Sequence, residues 1–257
     1  MLAEQRRSRL LELVQSRQFA TLPELVEQLG VSESTVRRDL EYLEERGTTR
    51  RIHGGVLFAG ETPKLPHFEV RPPAQWNLKK AIARCAANLV QEGDTILLDG
   101  GSTAFEVAKL LGGRSVHVVT NSLPVANLFA SDGNNVDLIL IGGNICSRTG
   151  VARGPYADEM LTQVHVRKTI LSTAAVGNEG LYNNNKLLVQ TERAMMRAGD
   201  EVIVVVDSTK FGRQSLGHVC PSDDVDYMVV DDRLSSEWRD KVLAAGVKLL
   251  VAEVTEI

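Results

Sequence analysis

The sequence predicts an α/β protein in which a short, mostly helical domain precedes a larger domain built around a mainly parallel sheet. The chain has 257 residues, of which 43% are hydrophobic and 24% charged, and this suits two folded domains of ordinary composition. Its first part spaces apolar side chains as helices do, whereas the remainder alternates continuous apolar runs with amphipathic segments. Such alternation is typical of a parallel α/β fold.

The boundary between the two domains is predicted at residues 59–76, a segment rich in helix-breaking residues. It contains Gly60, Pro63, Pro66, Pro72 and Pro73. Because proline fixes φ and lacks a backbone donor, this segment cannot continue a helix and is predicted to be a linker. The predicted domains are therefore residues 1–58 and 77–257.

Composition excludes several classes of protein. The formal net charge is −4, and residues 1–58 hold nine basic and nine acidic side chains, so total charge does not indicate a nucleic-acid partner. Cys85, Cys146 and Cys220 form no C-x-x-C pair, and we expect buried thiols in a reducing cytoplasm rather than disulfides or metal ligands. No apolar run has the length of a membrane span, and the charged N-terminus is atypical of a secretion signal. We therefore predict a cytoplasmic protein without a membrane partner.

The segment after the first predicted helix carries the signals of a second, capped helix. Thr21 can cap its N-terminus, and Glu24 stands three residues later, as a capping box requires. Apolar residues then recur at helical spacing, at Leu22, Leu25, Val26 and Leu29. Gly30 can adopt the left-handed conformation that ends a helix. Because Ser32 can begin another helix at once, about residues 20–39 are predicted to form a helix-turn-helix.

The last of these helices is predicted to face DNA with its polar side. Val36, Leu40 and Leu43 define its buried face, and the polar residues lie opposite or on the flanks. The predicted DNA-contacting residues of this helix are Ser32, Ser34, Thr35, Arg37 and Arg38. Arginine can bind guanine through two hydrogen bonds, a contact worth about 1–3 kcal/mol. Any one of these features also fits a protein-interaction module with solvated arginines, but their ordered combination favours DNA binding.

Residues 46–57 predict a basic β-hairpin with a Gly-Gly turn. A hairpin of this kind directly after a recognition helix is a wing. Arg50, Arg51 and His53 would reach backbone phosphate or the minor groove. His53 taken alone carries little weight, because one histidine beside a turn can be without function.

Seven segments of the larger domain predict strands and five predict helices. The strands are Thr95–Asp99, Val116–Thr120, Val136–Ile141, Lys168–Ala175, Glu201–Asp207, Tyr227–Val230 and Val247–Val251. The helices are Thr103–Leu111, Pro124–Ala130, Ala157–Val164, Thr191–Ala198 and Ser235–Ala245. Runs such as Val-Ile-Val-Val-Val are apolar on both faces, as buried parallel strands are. Ligands of such sheets bind beyond the carboxyl ends of the strands.

Glycines and polar side chains gather at those carboxyl ends. The predicted effector-binding residues are Asp99, Gly100, Gly101, Ser102, Thr103, Thr120, Asn121, Ser122, Gly142, Gly143 and Lys210. Hydroxyls and free amides at the start of a helix bind phosphate, and Lys210 would add a positive charge. The spacing matches neither a dinucleotide-binding nor a Walker motif, so we expect no cofactor. Arg148 and Arg153 are weaker candidates, and Glu192 is predicted to occupy a solvated helix position.

These motifs resemble those of the DeoR family of bacterial transcriptional regulators. The resemblance rests on V-S-E-S-T-V-R-R-D-L-E-Y-L-E-E-R-G (31–47), R-R-I-H-G-G (50–55), D-G-G-S-T (99–103), T-N-S (120–122), G-G (142–143) and D-S-T-K-F (207–211). It implies a winged helix-turn-helix joined to an effector domain resembling ribose-5-phosphate isomerase. It also implies a phosphorylated sugar as effector, which most often relieves repression.

The chain departs from the usual family pattern in three places near the predicted pocket. These are residues 166–170, where the family usually shows an acid, residues 172–177, and the run of asparagines at 183–185. The effector of a particular family member therefore does not transfer to this chain.

The sequence favours a regulator without catalytic residues. We predict a repressor of carbohydrate-metabolism genes, a homodimer or homotetramer, with double-stranded operator DNA and a phosphorylated sugar as partners. The alternative is a sugar-phosphate isomerase with a DNA-binding appendage, in which Asp99, Asp207 and Lys210 would act on the substrate. No strand-end loop holds the several acids that this chemistry favours. A structural protein without a ligand is the third class, and it leaves the polar strand ends unexplained.

Overall fold

The computed structural model describes residues 3–17, 19–46, 48–52, 55–58, 73–131 and 136–254. The chain divides into two compact units, residues 1–65 and 66–257. Buried apolar clusters lie within each unit, so each is described by itself. No helix in the described ranges combines the length and the hydropathy that a membrane crossing requires.

The N-terminal unit is a winged helix-turn-helix, as the sequence predicted. Its elements are α1 (Ala3–Arg17), β1 (Phe19–Thr21), α2 (Leu22–Leu29), α3 (Glu33–Glu45), β2 (Thr49–Ile52) and β3 (Gly55–Phe58). The strands form an antiparallel sheet in the order β1-β3-β2. The core of this unit comprises Leu10, Val14, Ala20, Leu25, Leu29, Val36, Leu40, Leu43 and Val56. The predicted apolar faces of α2 and α3 therefore pack inward.

Local hydrogen bonds fix the turn between α2 and α3. The capping box is present, since the Thr21 N–H donates to Glu24 Oε2 at 2.8 Å. Gly30 has a φ of 63°, and its N–H donates to the carbonyl of Val26, which ends α2. Ser32 caps α3, because its Oγ accepts from the Thr35 N–H. These contacts confirm the turn chemistry that the sequence predicted.

A buried carboxylate ties α3 to α1. Asp39 of α3 is 1% exposed, and the Nε atoms of Arg6 and Arg7 donate to its two oxygens at 2.5 and 2.9 Å. Burial acts to raise the pKa of Asp39, but the two guanidinium groups outweigh it and hold that pKa below its ordinary value. Charge therefore anchors α3 in addition to its apolar face.

The C-terminal unit contains six helices and twelve strands in its described part. The helices are α4 (Pro73–Ala87), α5 (Ser102–Leu111), α6 (Leu123–Ser131), α7 (Pro155–Leu161), α8 (Lys186–Arg197) and α9 (Ser236–Ala244). The strands are β4 (Thr95–Leu98), β5 (His117–Thr120), β6 (Leu138–Leu140), β7 (Asn144–Cys146), β8 (Val151–Arg153), β9 (Val166–Ser172), β10 (Ala175–Gly177), β11 (Gly180–Asn183), β12 (Gly199–Val205), β13 (Gly217–Cys220), β14 (Tyr227–Asp231) and β15 (Lys248–Ala252). All seven predicted strands and all five predicted helices are represented.

Seven of these strands form a wholly parallel sheet in the order β15-β14-β12-β9-β4-β5-β6. Alternate strand residues enter two separate cores: Leu97 packs with side chains of α7, α8 and α9, and Ile96 with those of α4, α5 and α6. The sheet is therefore covered on both faces, which explains why its strands read as continuous apolar runs. This arrangement confirms the predicted parallel α/β fold.

The order of the strands reverses between β4 and β9. The chain runs from β4 to β5 and β6 on one side, and places β9, β12, β14 and β15 on the other. Leu98 of β4 pairs with Ile170 of β9, and Ser172 of β9 pairs with Val205 of β12, so these three strands end close together. In an open parallel sheet, such a reversal leaves a crevice beyond the carboxyl ends of the strands.

Several element boundaries differ from the prediction. Residues 73–76, assigned to the linker, begin α4, because Pro73 fits the first turn of a helix, where its missing N–H is not needed. Residues 59–72 lie outside the described residues. The strand predicted to reach Ala175 ends at Ser172, and Ala175 begins the antiparallel β10. The short strands β7, β8, β11 and β13 were not predicted, since runs of three or four residues carry no clear period.

We predict that Asp39→Asn loosens the N-terminal unit. The substitution removes a buried charge and leaves two arginines without their partner, which costs about 1–3 kcal/mol. Hydrogen exchange of the α3 amides in the full chain should therefore quicken about 5- to 150-fold at neutral pH. Because the folded-state pKa of Asp39 is lowered, its contribution is present above its unfolded pKa and is lost as pH falls through the folded value. The difference between variant and wild type should accordingly shrink in acid.

Glu45→Gln is the control for this substitution, because Glu45 is exposed at the end of the same helix. It should leave exchange in α3 unchanged. Wild-type exchange rates in the Asp39→Asn variant at neutral pH would contradict the anchoring role of Asp39.

Candidate functional site

The exposed side of α3 carries the residues predicted to contact DNA. Ser34, Arg37 and Arg38 are exposed, whereas Val36 and Leu40 on the opposite side are buried. The guanidinium groups therefore face solvent rather than the core. A helix that inserts into a major groove needs this orientation.

Arg37 is exposed and forms an ion pair with Glu33. Its Nη2 lies 2.7 Å from Glu33 Oε1, one turn earlier, and both side chains are 59% exposed. A solvated pair of this kind contributes at most about 1 kcal/mol, so a phosphate or a guanine edge can replace Glu33 as the partner of Arg37. At the start of the helix, Ser32 Oγ lies 3.0 Å from Ser34 Oγ and 2.8 Å from Thr35 Oγ1. These hydroxyls surround a helix N-terminus, where anions bind favourably.

The wing is described only in part. Arg50 and Arg51 lie in β2, whose backbone pairs with β3, but their side chains lie outside the described residues. His53 lies outside them entirely. DNA contacts by these three residues stay predictions.

A cavity of about 760 Å³ opens at the reversal of strand order. Its lining comes from the ends of β4, β9 and β12, from the segments that follow them, from the β7–β8 hairpin, and from α4, β11 and α8. The cavity lies beyond the carboxyl ends of the strands, where parallel sheets bind their ligands. Its volume lies within the range of about 300–1,000 Å³ that is typical of small-molecule sites.

Asp99 joins the ends of β4 and β9. Its Oδ2 accepts from the Ser172 hydroxyl at 2.6 Å, from the Ser172 N–H at 3.2 Å and from the Gly101 N–H at 3.1 Å. Complete burial raises the pKa of Asp99, although these hydrogen bonds favour the ionised form. This carboxyl holds the strand-end loop in place and also lines the cavity.

The two glycines of this loop are required by packing. A Cβ on Gly101 would lie 1.5 Å from Ser172 Oγ, and one on Gly100 would lie 2.2 Å from Val151 Cγ2. Neither separation is sterically possible without movement of the neighbours. The sequence predicted both glycines as effector-binding residues, and the structure shows that the chain itself packs closely against them.

Donors and positive charge converge on the cavity. Helix α5 starts at Ser102, and both Ser102 and Thr103 line the cavity. The first-turn N–H groups of a helix lack intrahelical acceptors and favour an anion. Lys210 is half-buried in a single 3-10 turn after β12 and lines the cavity together with Arg148 and Arg213. Arg153, the other weak candidate, is not part of the lining.

Lys79 is a lining residue that sequence reasoning missed. It lies on α4 with 1% of its surface exposed, and its Nζ is 3.4 Å from Asp207 Oδ2. Asp207 also accepts from the Thr209 hydroxyl. The available signal was a lysine between Leu78 and Ala81, two buried apolar positions of the same helix.

Five of the predicted effector residues do not line the cavity. They are Thr120, Asn121, Ser122, Gly142 and Gly143. The Thr120 hydroxyl donates to the Leu98 carbonyl at 2.7 Å, and Asn121 Nδ2 donates to the Ala152 carbonyl at 3.0 Å. Thr120 ends β5, and the other four residues follow β5 or β6, one and two strands beyond β4 from the reversal. Effector contact by these five residues stays a prediction that the lining of this cavity does not support.

Glu192 is buried, which corrects the predicted solvated position. It is 3% exposed, lines the cavity, and accepts from Asn183 Nδ2 at 2.7 Å through Oε1. Burial raises the pKa of Glu192 well above its ordinary value, and the charge of Asp99 raises it further. The prediction failed because α8 begins at Lys186 rather than at Thr191, so Glu192 lies in the body of the helix on its inner face.

A helix-turn-helix with exposed arginines, joined to an α/β unit with a polar cavity, defines a DNA-binding transcriptional regulator with a sensor domain. Residues 6–62 match the DeoR-like helix-turn-helix domain, and residues 74–232 match the DeoR C-terminal sensor domain. The chain belongs to the DeoR family of transcriptional regulators.

Relatives of similar length carry regulator names. The transcriptional repressor AccR of Agrobacterium fabrum is 34% identical over 233 residues, which cover 89% of each chain. The putative aga operon transcriptional repressor of Escherichia coli O157:H7 is 29% identical over 251 residues, covering 96% of this chain and 93% of its own. Among solved structures, ribose 5-phosphate isomerase A of Methanocaldococcus jannaschii aligns with a TM-score of 0.40 and 21% identity. That alignment covers 53% of this chain and 55% of the isomerase.

We predict that Gly101→Ala distorts the strand-end loop. The new Cβ would lie 1.5 Å from Ser172 Oγ, so either Ser172 leaves Asp99 or the loop moves. Overpacking of this kind destabilises a protein by about 1–3 kcal/mol. The thermal midpoint of the C-terminal unit, followed by the fluorescence of Trp76 and Trp238, should therefore fall.

A second substitution tests whether Ser172 is the cause. Ser172→Gly removes the side chain that the new Cβ meets, so the double variant should regain part of the midpoint lost by Gly101→Ala. A wild-type midpoint for Gly101→Ala would show that the loop is not packed as described. Losses that simply add in the double variant would exclude Ser172 as the obstacle.

Proposed function

We propose that this protein represses genes of carbohydrate metabolism as a homodimer or homotetramer bound to double-stranded operator DNA. A phosphorylated sugar, bound in the cavity between β4 and β9, modulates that binding. The proposal is carried by one observation. The same chain has an exposed arginine pair on a recognition helix and, in its other unit, a cavity where a helix N-terminus meets basic side chains.

Operator recognition is assigned to α3 and the wing. Arg37 and Arg38 would read base edges, and the hydroxyls of Ser32, Ser34 and Thr35 would contact phosphate. A symmetric oligomer would apply two such helices to repeated half-sites. The repressor names of the two relatives described above support repression as the sign of regulation.

Effector recognition is assigned to the lining of the cavity. The first-turn N–H groups of α5, the hydroxyls of Ser102 and Thr103, and the ammonium of Lys210 would hold a phosphate. Asp99 and Glu192 supply acceptors for the remainder of the ligand. A ligand of this class affects the operator only if it binds one arrangement of the DNA-binding units more tightly than another. Such a coupling is typically about 1–3 kcal/mol.

A second candidate function is sugar-phosphate isomerisation. Two carboxyls with raised pKa values share the cavity, and such groups can act as general bases. The regulator names of the relatives favour binding without turnover. We expect no interconversion of ribose 5-phosphate and ribulose 5-phosphate by the purified protein. Turnover that Asp99→Asn or Glu192→Gln abolishes would establish the enzyme instead.

We predict that Arg38→Ala and Lys210→Ala lose opposite activities. Removal of one base-reading arginine should weaken binding to the protein's own upstream DNA by about tenfold or more, while sugar-phosphate binding is kept. Lys210→Ala should weaken sugar-phosphate binding by about tenfold through loss of a charged donor, while operator binding is kept. Fluorescence anisotropy with labelled DNA and calorimetric titration with hexose 6-phosphates measure the two affinities.

Charge-matched controls accompany both variants. Arg9 is exposed on α1, and Lys248 lies at the amino end of β15, opposite the edge where the cavity opens. Arg9→Ala and Lys248→Ala should change either affinity by less than about threefold. Loss of both activities in both test variants, with folding intact, would be incompatible with separate sites for DNA and effector.

A further inference from the structure

One acidic side chain in the cavity has an unused oxygen. Glu192 Oε1 accepts from Asn183 Nδ2, but Oε2 is buried and has no hydrogen-bond partner among the described residues. Glu192 is 97% buried and lines the cavity. A buried acceptor without a partner costs about 1–3 kcal/mol, so a donor on the bound ligand would relieve a defect of the empty site.

The charge of Asp99 favours a positively charged donor for this oxygen. Asp99 lines the same cavity, and its charge acts on Glu192 strongly enough to raise the pKa of that carboxyl in addition to the effect of burial. Within the described part of the chain, no Lys, Arg or His forms an ion pair with either carboxyl. Burial and the charge of Asp99 both favour the neutral form of Glu192, so a hydroxyl on the ligand would satisfy Oε2 without stabilising the ionised carboxylate. A positive group would both donate to Oε2 and stabilise the ionised form of Glu192.

A positive group on the ligand itself suits this carboxyl. The described residues contain no group of three or more His, Cys, Asp or Glu side chains arranged to hold a metal. An ammonium needs only acceptors, and it offers three donors to the free oxygen of Glu192 and its neighbours. It can also stand on a sugar ring in place of a hydroxyl without a change of size.

We propose that Glu192, with Asp99 in the lining of the same cavity, forms a subsite for an ammonium group, so that the effector is an amino sugar phosphate. This inference rests on the proposed function, since the phosphate end would occupy the site formed by α5 and Lys210. The effector then carries opposite charges at its two ends, and the cavity matches both. Glu192 thereby determines which phosphorylated sugars the protein recognises.

Matched pairs of ligands test the subsite in the full-length protein. Glucosamine 6-phosphate is compared with glucose 6-phosphate, and galactosamine 6-phosphate with galactose 6-phosphate, by calorimetric titration at neutral pH. In at least one pair the amino member should bind about tenfold more tightly, as expected for a buried charge pair. Glu192→Gln keeps the shape of the side chain and should reduce that ratio to near one. Glu106→Gln is the matched control, because Glu106 is similarly buried but does not line the cavity, and it should keep the wild-type ratio.

A change on the ligand makes the test independent of the variant's folding. N-acetylglucosamine 6-phosphate and N-acetylgalactosamine 6-phosphate lack the positive charge. Wild-type protein should bind them no better than glucose 6-phosphate and galactose 6-phosphate. The absence of an amino preference in both pairs, or a preference that survives in folded Glu192→Gln, would overturn the subsite. If the amino preference were absent but glucose 6-phosphate or galactose 6-phosphate still released the operator, the proposed sensor function would stand without the ammonium subsite. If no member of the panel released it, both proposals would fail.

Discussion

The adjacency of β4 and β9 determines the chemistry of the C-terminal unit. The two strands are neighbours in the sheet but distant in the chain, and their junction is the point at which strand order reverses. The Asp99 carboxylate closes that junction by accepting hydrogen bonds from Ser172. Because the connections leave the sheet in opposite directions, the space beyond the junction stays open and is lined by strand ends. A helix N-terminus, basic side chains and three buried carboxyls all reach the same cavity for this reason.

Each unit uses a buried carboxylate to position a polar surface. In the N-terminal unit, Asp39 of α3 binds two arginines of α1, whereas Arg37 and Arg38 of α3 face solvent. In the C-terminal unit, Asp99 fixes the loop that begins α5. The apolar cores set which side of each helix faces inward. The buried carboxyls add to this because their partners must have a defined geometry.

Local patterns allowed much of this structure to be predicted, and long-range contacts account for what was missed. The turn at Gly30, the buried stripe of α3 and the parallel strands follow from residue spacing alone. Helical periodicity cannot reveal that Asp39 meets Arg6 and Arg7, since these residues are more than thirty positions apart. The cavity was predicted at strand ends, but the sequence does not give the order of strands. Residues 120–122 were therefore predicted at a strand end that does not line the cavity, and Lys79 and the inner position of Glu192 were missed.

A sugar-phosphate cavity and a DNA-binding face on one chain form a regulator only if binding at one changes the affinity of the other. Linkage requires that the two ligands alter each other's affinity by the same factor. The most direct measurement is titration of the tightest-binding hexose 6-phosphate into the protein, with and without saturating operator DNA, alongside operator titrations with and without that sugar. We expect the two factors to be equal, with each ligand lowering the affinity of the protein for the other by about 5–150-fold. A sugar affinity that is unchanged by bound operator would contradict the account.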